Sequence, residues 1–121
     1  MRKLISSLQF ACAGIGYTFR TERNFRIEAT CLVIVLPAGY FFKISAMELL
    51  VIMLHAGLVL GAEIFNTSIE RLADLASREI SPAIKNIKDT AAGAVLIIAL
   101  SAVGSGAVIF IPKIIRLFIS L

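Results

Sequence analysis

The amino-acid sequence predicts an all-α integral membrane protein with three transmembrane helices and an N-terminal amphipathic surface helix. Of its 121 residues, 59% are hydrophobic and 17% are charged, and the mean hydropathy is +0.92. Soluble domains are only about half apolar and about a quarter charged, and a soluble chain of 13.1 kDa has too little interior to bury so much apolar surface. The composition therefore disfavours a soluble enzyme or a nucleic-acid-binding domain, despite the basic pI of 9.4.

Segment 1–21 is the predicted surface helix. Its apolar residues recur every three or four positions, which marks one stripe along a helix. The residues of this stripe are Leu4, Leu8, Ala11, Ile15 and Phe19. Basic residues flank the stripe, so the helix is expected to lie in the membrane interface. Packing against the rest of the chain would produce the same pattern, and the two arrangements are compatible.

The predicted membrane helices cover residues 27–43, 47–76 and 88–112. The first has an apolar stretch shorter than the roughly 20 residues that span a bilayer, so it is expected to extend back through Ile27, and Pro37 is expected to kink or end it. The second continues without a helix breaker from apolar residues into the polar stretch that begins at Glu63. One long helix, half in lipid and half in water, is the simplest interpretation.

The third membrane helix has the clearest boundaries in the sequence. Ser81 followed by Pro82 is typical of a helix start, an uncharged run follows, and Pro112 is predicted to end the helix. The chain shows no internal repeat and no linker, which indicates a single domain over residues 1–121.

Basic residues orient the three predicted spans, because cytoplasmic loops are enriched in Lys and Arg. Nine of the 12 Lys and Arg residues fall in the N-terminal segment and in the loop between the second and third spans. The other three are Lys43, Lys113 and Arg116. The N-terminus is therefore predicted to be cytoplasmic and the C-terminus to lie outside.

A stripe of polar residues on the second helix carries the strongest chemical signal. At about 100° per residue, Glu63, Asn66, Glu70 and Asp74 fall within an arc of about 80°. Acids at this spacing repel one another, and an acid at the hydrocarbon edge is costly and usually functional. Glu63 could instead simply mark the edge of the membrane. Aligned carboxylates and an amide are hard oxygen ligands that suit magnesium together with a bound phosphate.

The other two membrane helices bring polar residues to the same depth. Lys88 and Asp89 lie at the start of the third span, and Glu22 and Glu28 lie at the start of the first. These positions predict one shared site for a metal and a phosphate-rich ligand at the cytoplasmic interface. The sequence contains neither a P-loop nor a kinase-type glycine-rich loop.

These residues resemble the prokaryotic diacylglycerol kinase family. The resemblance rests on Glu22-Arg-Asn-Phe-Arg-Ile-Glu28, on Glu63-Ile-Phe-Asn-Thr-Ser-Ile-Glu70 with Asp74, and on Lys88-Asp89-Thr-Ala-Ala-Gly-Ala-Val-Leu. It covers about residues 7–111, and the wording of the second and third motifs is closer to the undecaprenol kinase branch. The resemblance implies a multi-pass homotrimer in the bacterial inner membrane with active sites shared between chains.

The resemblance also implies a role for individual residues. Glu63 matches the general base, and Glu22 and Glu70 match the carboxylates that bind Mg²⁺. The positions that match ATP contacts are Lys3, Phe10, Glu22, Asn66, Glu70, Asp74, Glu79, Lys88 and Asp89. The chain lacks the Tyr-His pair that follows the acid at position 79 in the diacylglycerol kinase branch.

The implied activity is ATP- and Mg²⁺-dependent phosphorylation of a membrane lipid alcohol, either undecaprenol or diacylglycerol, as part of lipid metabolism. No nucleic-acid partner is expected. Two other classes compete from the residues alone. A proton or ion channel could use His55 and Glu63 as a relay, although a lone His in an apolar span is more often hydrogen-bonded to a neighbouring helix. A structural or membrane-lesion protein would not need the aligned acids.

Overall fold

A computed structural model describes residues 2–77 and 81–120, which form helices joined by short turns. The helices are α1 (Arg2–Thr21), α2 (Arg23–Phe41), α3 (Ala46–Ala76) and α4 (Pro82–Ile119). Within these two ranges there is no β-strand, so the all-α prediction is confirmed. With a rise of 1.5 Å per residue, α3 and α4 are about 46 Å and about 57 Å long.

One extended residue, Glu22, separates α1 from α2 (φ −103°, ψ 121°). The Arg26 guanidinium donates to the carbonyl oxygens of Phe19 and Arg20, both at 3.1 Å, and so satisfies the free C-terminal end of α1. Phe25 is buried and meets the Phe19 ring edge-on at 6.4 Å between centroids. These contacts fix the direction in which the chain turns from the surface helix into the bundle.

The turn between α2 and α3 is equally well defined. Lys43 has a positive φ of 51°, and a Cβ added to Gly39 would lie 2.6 Å from Cδ1 of Ile44, which explains the glycine there. Ser45 and Glu48 form a capping box: the Ser45 hydroxyl accepts from the Glu48 amide at 3.2 Å, and Glu48 accepts from the Ser45 amide at 2.7 Å. The capping box therefore defines where α3 begins.

The most extensive interface in the described part of the chain joins α3 and α4, and α2 packs on α3. The buried apolar residues Ile52, Val59 and Ile109 lie on these two long helices. Beyond them, Lys113 of α4 pairs with Glu48 at the start of α3 at 3.0 Å. The bundle therefore places the start of α3 beside the end of α4, and the end of α3 beside the start of α4.

α3 and α4 are long and apolar enough to cross a membrane, with mean hydropathies of 1.9 and 2.5 in their most apolar stretches. Two of the described helices meet this length and composition criterion, whereas the sequence predicts three spans. The difference lies in α2, whose 19 residues include Arg23, Arg26 and Glu28. The structure thus supports a membrane protein and two of the three expected spans, α3 and α4.

The prediction that Pro112 ends the last helix is wrong. α4 continues through Pro112 to Ile119, and α2 likewise continues through Pro37 to Phe41. A proline in a helix removes one hydrogen bond but has a backbone φ that suits the helix. The pairing of Lys113 with Glu48 connects the turn that follows Pro112 to the start of α3, so α4 packs on α3 beyond the proline.

Few side chains are buried within this chain, and several of those are polar. Thr18, Glu63, Asn66 and Thr67 are buried, whereas large apolar side chains along α3 and α4 are exposed. Apolar patches of this extent are covered by lipid or by other chains. The described structure therefore combines a few buried polar residues with many exposed large apolar ones, as expected for a bundle in lipid.

Candidate functional site

Glu63 is a buried carboxylate at the centre of the polar stripe on α3. Its exposed fraction is 3%, and its neighbours on the helix, Asn66 and Thr67, are 9% and 4% exposed. The Thr67 hydroxyl donates to the Glu63 carbonyl oxygen at 2.9 Å, so this hydrogen bond involves the backbone and not the carboxylate. A buried acid is expensive unless it has a partner, which makes Glu63 the natural starting point for a functional site.

Three further carboxylates surround Glu63. Glu22, Glu28 and Glu70 each lie near enough to interact electrostatically with it, and the Asn24 side chain hydrogen-bonds to it. Glu22 comes from the α1–α2 junction, Glu28 from α2 and Glu70 from α3. We call these residues, Glu22, Glu28, Glu63 and Glu70, the acidic cluster. Their mutual repulsion favours binding of a cation at this position.

Two oxygen atoms beside the acidic cluster lack a hydrogen-bond partner among the described residues. Asn66 donates from Nδ2 to Oε1 of Glu70 at 3.1 Å, while its own Oδ1 is buried and unpaired. Oε2 of Glu28 is buried and unpaired as well. Unpaired buried acceptors are costly, and they require either donors or a cation. Hard oxygen atoms of this kind fit magnesium.

The carboxylates do not form a complete coordination sphere on their own. Over residues 2–77 and 81–120, no three or more His, Cys, Asp or Glu side chains approach closely enough to hold an ion. Mg²⁺ commonly takes one or two carboxylates and completes its six ligands with water and phosphate oxygens. The residues therefore fit a metal that arrives with a phosphate ligand.

Two lysines near the start of α4 form ion pairs. Lys88 forms an ion pair with Asp74 of α3, and Lys85 forms one with Asp89 one helical turn away. The structure therefore brings Lys88 and Asp74 together across two helices, as their predicted common depth requires. Asp89 is exposed, and its described ion pair is with Lys85 of its own helix.

Arg71 is a site residue whose contacts could not be foreseen from the sequence. Its guanidinium lies 4.3 Å from the centroid of the Tyr17 ring of α1, and its Nη2 lies 3.9 Å from Oε1 of Glu22. The residue is eight positions from Glu63, so it lies at about 80° to it and at the edge of the polar stripe. Both of its partners are distant in sequence, and no local pattern indicates them. The hydrogen bond of the Asn24 side chain to Glu63 is likewise not indicated by any local sequence pattern.

The remaining sequence-predicted contacts are less closely associated with the acidic cluster. Lys3 and Phe10 are exposed on the first half of α1. Tyr17, whose ring contacts Arg71 of α3, lies about 10 Å further along the helix than Phe10. Glu79 lies outside the residues that the structure describes.

A mainly apolar cavity of about 310 Å³ extends between α2, α3 and α4, with Glu28 and His55 in its lining. His55 donates from Nδ1 to the Val51 carbonyl at 2.9 Å, and its Nε2 meets the hydroxyls of Ser101 and Ser105 of α4 at 3.1 and 3.3 Å. The hydrogen bonds to α4 match the expectation for a lone histidine in an apolar span. Both ring nitrogens of His55 are engaged, Nδ1 with Val51 and Nε2 with the two serines, so in the described structure His55 does not form a relay with Glu63.

Comparison with known proteins gives consistent results. Residues 9–110 match the family model described as prokaryotic diacylglycerol kinase. The chain is 37% identical over 113 residues to the undecaprenol kinase of Bacillus subtilis strain 168, covering 93% of this chain and 92% of that protein. It is 36% identical to a diacylglycerol kinase of Synechocystis over 96% of this chain and 67% of that protein. A diacylglycerol kinase of Haemophilus influenzae is 28% identical, over 84% of this chain and 85% of that protein.

Proposed function

Since the chain belongs to the prokaryotic diacylglycerol kinase family and is therefore a lipid kinase, we propose that it phosphorylates the hydroxyl of undecaprenol with ATP. The choice of lipid is supported by the undecaprenol kinase that is 37% identical over nearly the whole chain. The observation that carries the chemistry is the buried carboxylate of Glu63, surrounded by the other three members of the acidic cluster.

Glu63 acts as the general base in this proposal. It follows Glu48 by fifteen residues, about 22 Å along α3, so it lies near the end of the apolar half of the helix, where the hydroxyl of a lipid meets water. A lipid alcohol is a poor nucleophile, and a carboxylate at this depth can accept its proton as the oxygen attacks. The Asn24 side chain and Thr67 hold the surrounding groups in place.

Glu22 and Glu70 hold the magnesium that accompanies ATP, and Asn66 presents its unpaired Oδ1 beside them. The metal supplies charge neutralisation at the phosphate oxygens. Lys3, Phe10, Asp74, Glu79, Lys88 and Asp89 complete the proposed nucleotide contacts. The pairing with Asp74 keeps the Lys88 ammonium on the α3 side of the site, where it offsets negative charge on the transferred phosphoryl group.

The chain crosses the bacterial inner membrane three times in this proposal, with a cytoplasmic N-terminus and α1 on the surface. α2 would be the additional span, and its charged start at Arg23, Arg26 and Glu28 would lie at the interface. The antiparallel packing of α3 and α4, with Lys88 paired near the end of α3 and Lys113 near its start, is compatible with this topology, and the excess of Lys and Arg at the N-terminal segment and the α3–α4 loop sets the orientation. The acidic cluster then faces the cytoplasm, which contains the ATP.

The active unit is a homotrimer with sites shared between chains. One observation supports an assembly. Large apolar side chains on α3 and α4 are exposed in the single chain, and a neighbouring chain can cover them.

Diacylglycerol is the alternative acceptor, because two of the relatives are named diacylglycerol kinases. Both lipids present one hydroxyl at the interface. The test is an assay of the purified protein with ATP and magnesium, to which undecaprenol or diacylglycerol is added in turn, with the Glu63→Gln variant as control. Phosphorylation of undecaprenol at the higher kcat/KM supports the proposal. Preference for diacylglycerol refutes the choice of lipid, and no product from either lipid refutes the activity.

A further inference from the structure

Arg71 differs from the other cations around the acidic cluster in what it contacts. Its guanidinium lies against the face of the Tyr17 ring at 4.3 Å, with 47% of the side chain exposed. Its distance of 3.9 Å to Glu22 exceeds hydrogen-bonding range. The ring thus holds the guanidinium in position by cation–π attraction, while its N–H donors remain available to another ligand.

Three other described cations near this end of the bundle have close partners. Arg26 donates to the carbonyls of Phe19 and Arg20, Lys88 pairs with Asp74, and Lys85 pairs with Asp89. Arg20 and Arg23 are exposed at the α1–α2 junction. Arg71 differs from them because the Tyr17 ring orients its guanidinium 3.9 Å from Glu22, which places its N–H donors beside the acidic cluster. A planar guanidinium is also the group that matches phosphate oxygens with two parallel hydrogen bonds.

We propose that Arg71, oriented by the Tyr17 ring, binds the polyphosphate of the nucleotide. This inference rests on the proposed function, in which Glu22 holds the magnesium of Mg-ATP. Glu22 would hold the metal, and the Arg71 guanidinium, which lies 3.9 Å from that carboxylate without a hydrogen bond to it, would be free to donate to the phosphate oxygens. Arg71 is thus a nucleotide-binding residue, and Tyr17 is the positioning residue that orients it.

The test measures nucleotide affinity in a chain that does not turn over. In the Glu63→Gln background, the dissociation constants of Mg-ATP, Mg-ADP and AMP are measured by calorimetry, with and without Arg71→Gln. Loss of a charge-assisted contact that is half-exposed weakens binding by about tenfold. We expect that loss for ATP, a smaller loss for ADP, and little change for AMP, because the contact is to the polyphosphate.

Three further variants separate phosphate binding from a structural role. Arg71→Lys retains the charge but loses the planar fork, so it should recover part of the affinity. Tyr17→Phe retains the ring and should bind normally, whereas Tyr17→Leu should weaken ATP binding. Arg116→Gln, at the other end of α4, controls for the loss of one positive charge and should leave affinity unchanged.

Several results would overturn the proposal. Equal weakening of ATP and AMP would mean that Arg71 only holds the fold. Unchanged or tighter binding of Mg-ATP in Arg71→Gln would mean that the guanidinium interacts with Glu22 but does not bind the phosphate oxygens. A chain with unaltered Arg71 that neither binds ATP nor phosphorylates lipid would refute the proposed function as well, which distinguishes that failure from the first two.

Discussion

Replacing Glu63 by glutamine tests the central role in the proposed mechanism. Glutamine keeps the size of the side chain and can still accept a hydrogen bond from Asn24, but it cannot accept the proton of a lipid alcohol. Loss of a general base typically lowers turnover by about 10²–10⁴-fold, which corresponds to a barrier about 2.7–5.4 kcal/mol higher. We expect a loss in this range in kcat, with the affinity for Mg-ATP nearly unchanged.

The structure also predicts the effect of this change on stability. Glu63 is buried beside Glu22, Glu28 and Glu70, so the substitution removes one of several like charges that repel one another. The folded variant should therefore be at least as stable as the parent chain when unfolding is followed thermally in detergent. A lower transition temperature would mean that lost activity reflects a damaged fold, and the reasoning would fail.

Glu70→Gln is the matched comparison, since Glu70 lies on the same helix about two turns further on. Glutamine at this position can still accept the hydrogen bond that Asn66 donates, so the substitution removes charge rather than geometry. It should weaken Mg-ATP binding, and excess magnesium should restore part of the activity. Lipid phosphorylation and nucleotide affinity are measured across a magnesium series for both variants. Rescue of Glu63→Gln by magnesium, without rescue of Glu70→Gln, would require the two roles to be exchanged.

Three other predictions follow from the proposed assembly, topology and turn. Mixed trimers of Glu63→Gln and Glu22→Gln chains should recover lipid phosphorylation, because sites shared between chains can combine the two intact residues; no recovery would place each site within one chain. A reporter that is active only in the cytoplasm should be inactive when fused to the C-terminus, and an active fusion would refute the orientation. Lys43→Gly should raise the free energy of unfolding by about 1 kcal/mol, because it relieves the positive φ of 51°; a decrease would show that the lysine side chain stabilises the turn.

The polar stripe on α3 could be predicted because it depends on one helix alone. The spacing of Glu63, Asn66, Glu70 and Asp74 fixes their common direction as soon as the segment is helical, and the structure places them on one helix with Glu63 and Asn66 buried. The proximity of Lys88 to Asp74 could likewise be predicted, since the predicted topology puts both residues at the same depth in the membrane. Local periodicity and hydrophobic length are sufficient for these features.

Other features depend on contacts between elements and could not be read from the sequence. The stacking of Arg71 on Tyr17 joins residues from α3 and α1, and neither residue has a spacing that distinguishes it. The prediction that Pro112 ends the helix is wrong for a related reason: proline locally opposes a helix, but α4 packs on α3 and continues through it. Tertiary contacts outweigh a local preference of this size.

The arrangement of charge in this chain is better explained by ligand binding than by stability. Buried carboxylates that lack cations cost free energy. The described ion pairs near the acidic cluster leave Glu63 without a cation: Lys88 pairs with Asp74, and Arg71 lies 3.9 Å from Glu22. Replacing the cluster by apolar side chains would be expected to favour folding. Because a ligand that binds only the folded state stabilises that state, a metal–nucleotide complex would both satisfy the unpaired oxygens and bring α1, α2 and α3 together around Glu63. Binding of the nucleotide and completion of the site would then be the same event.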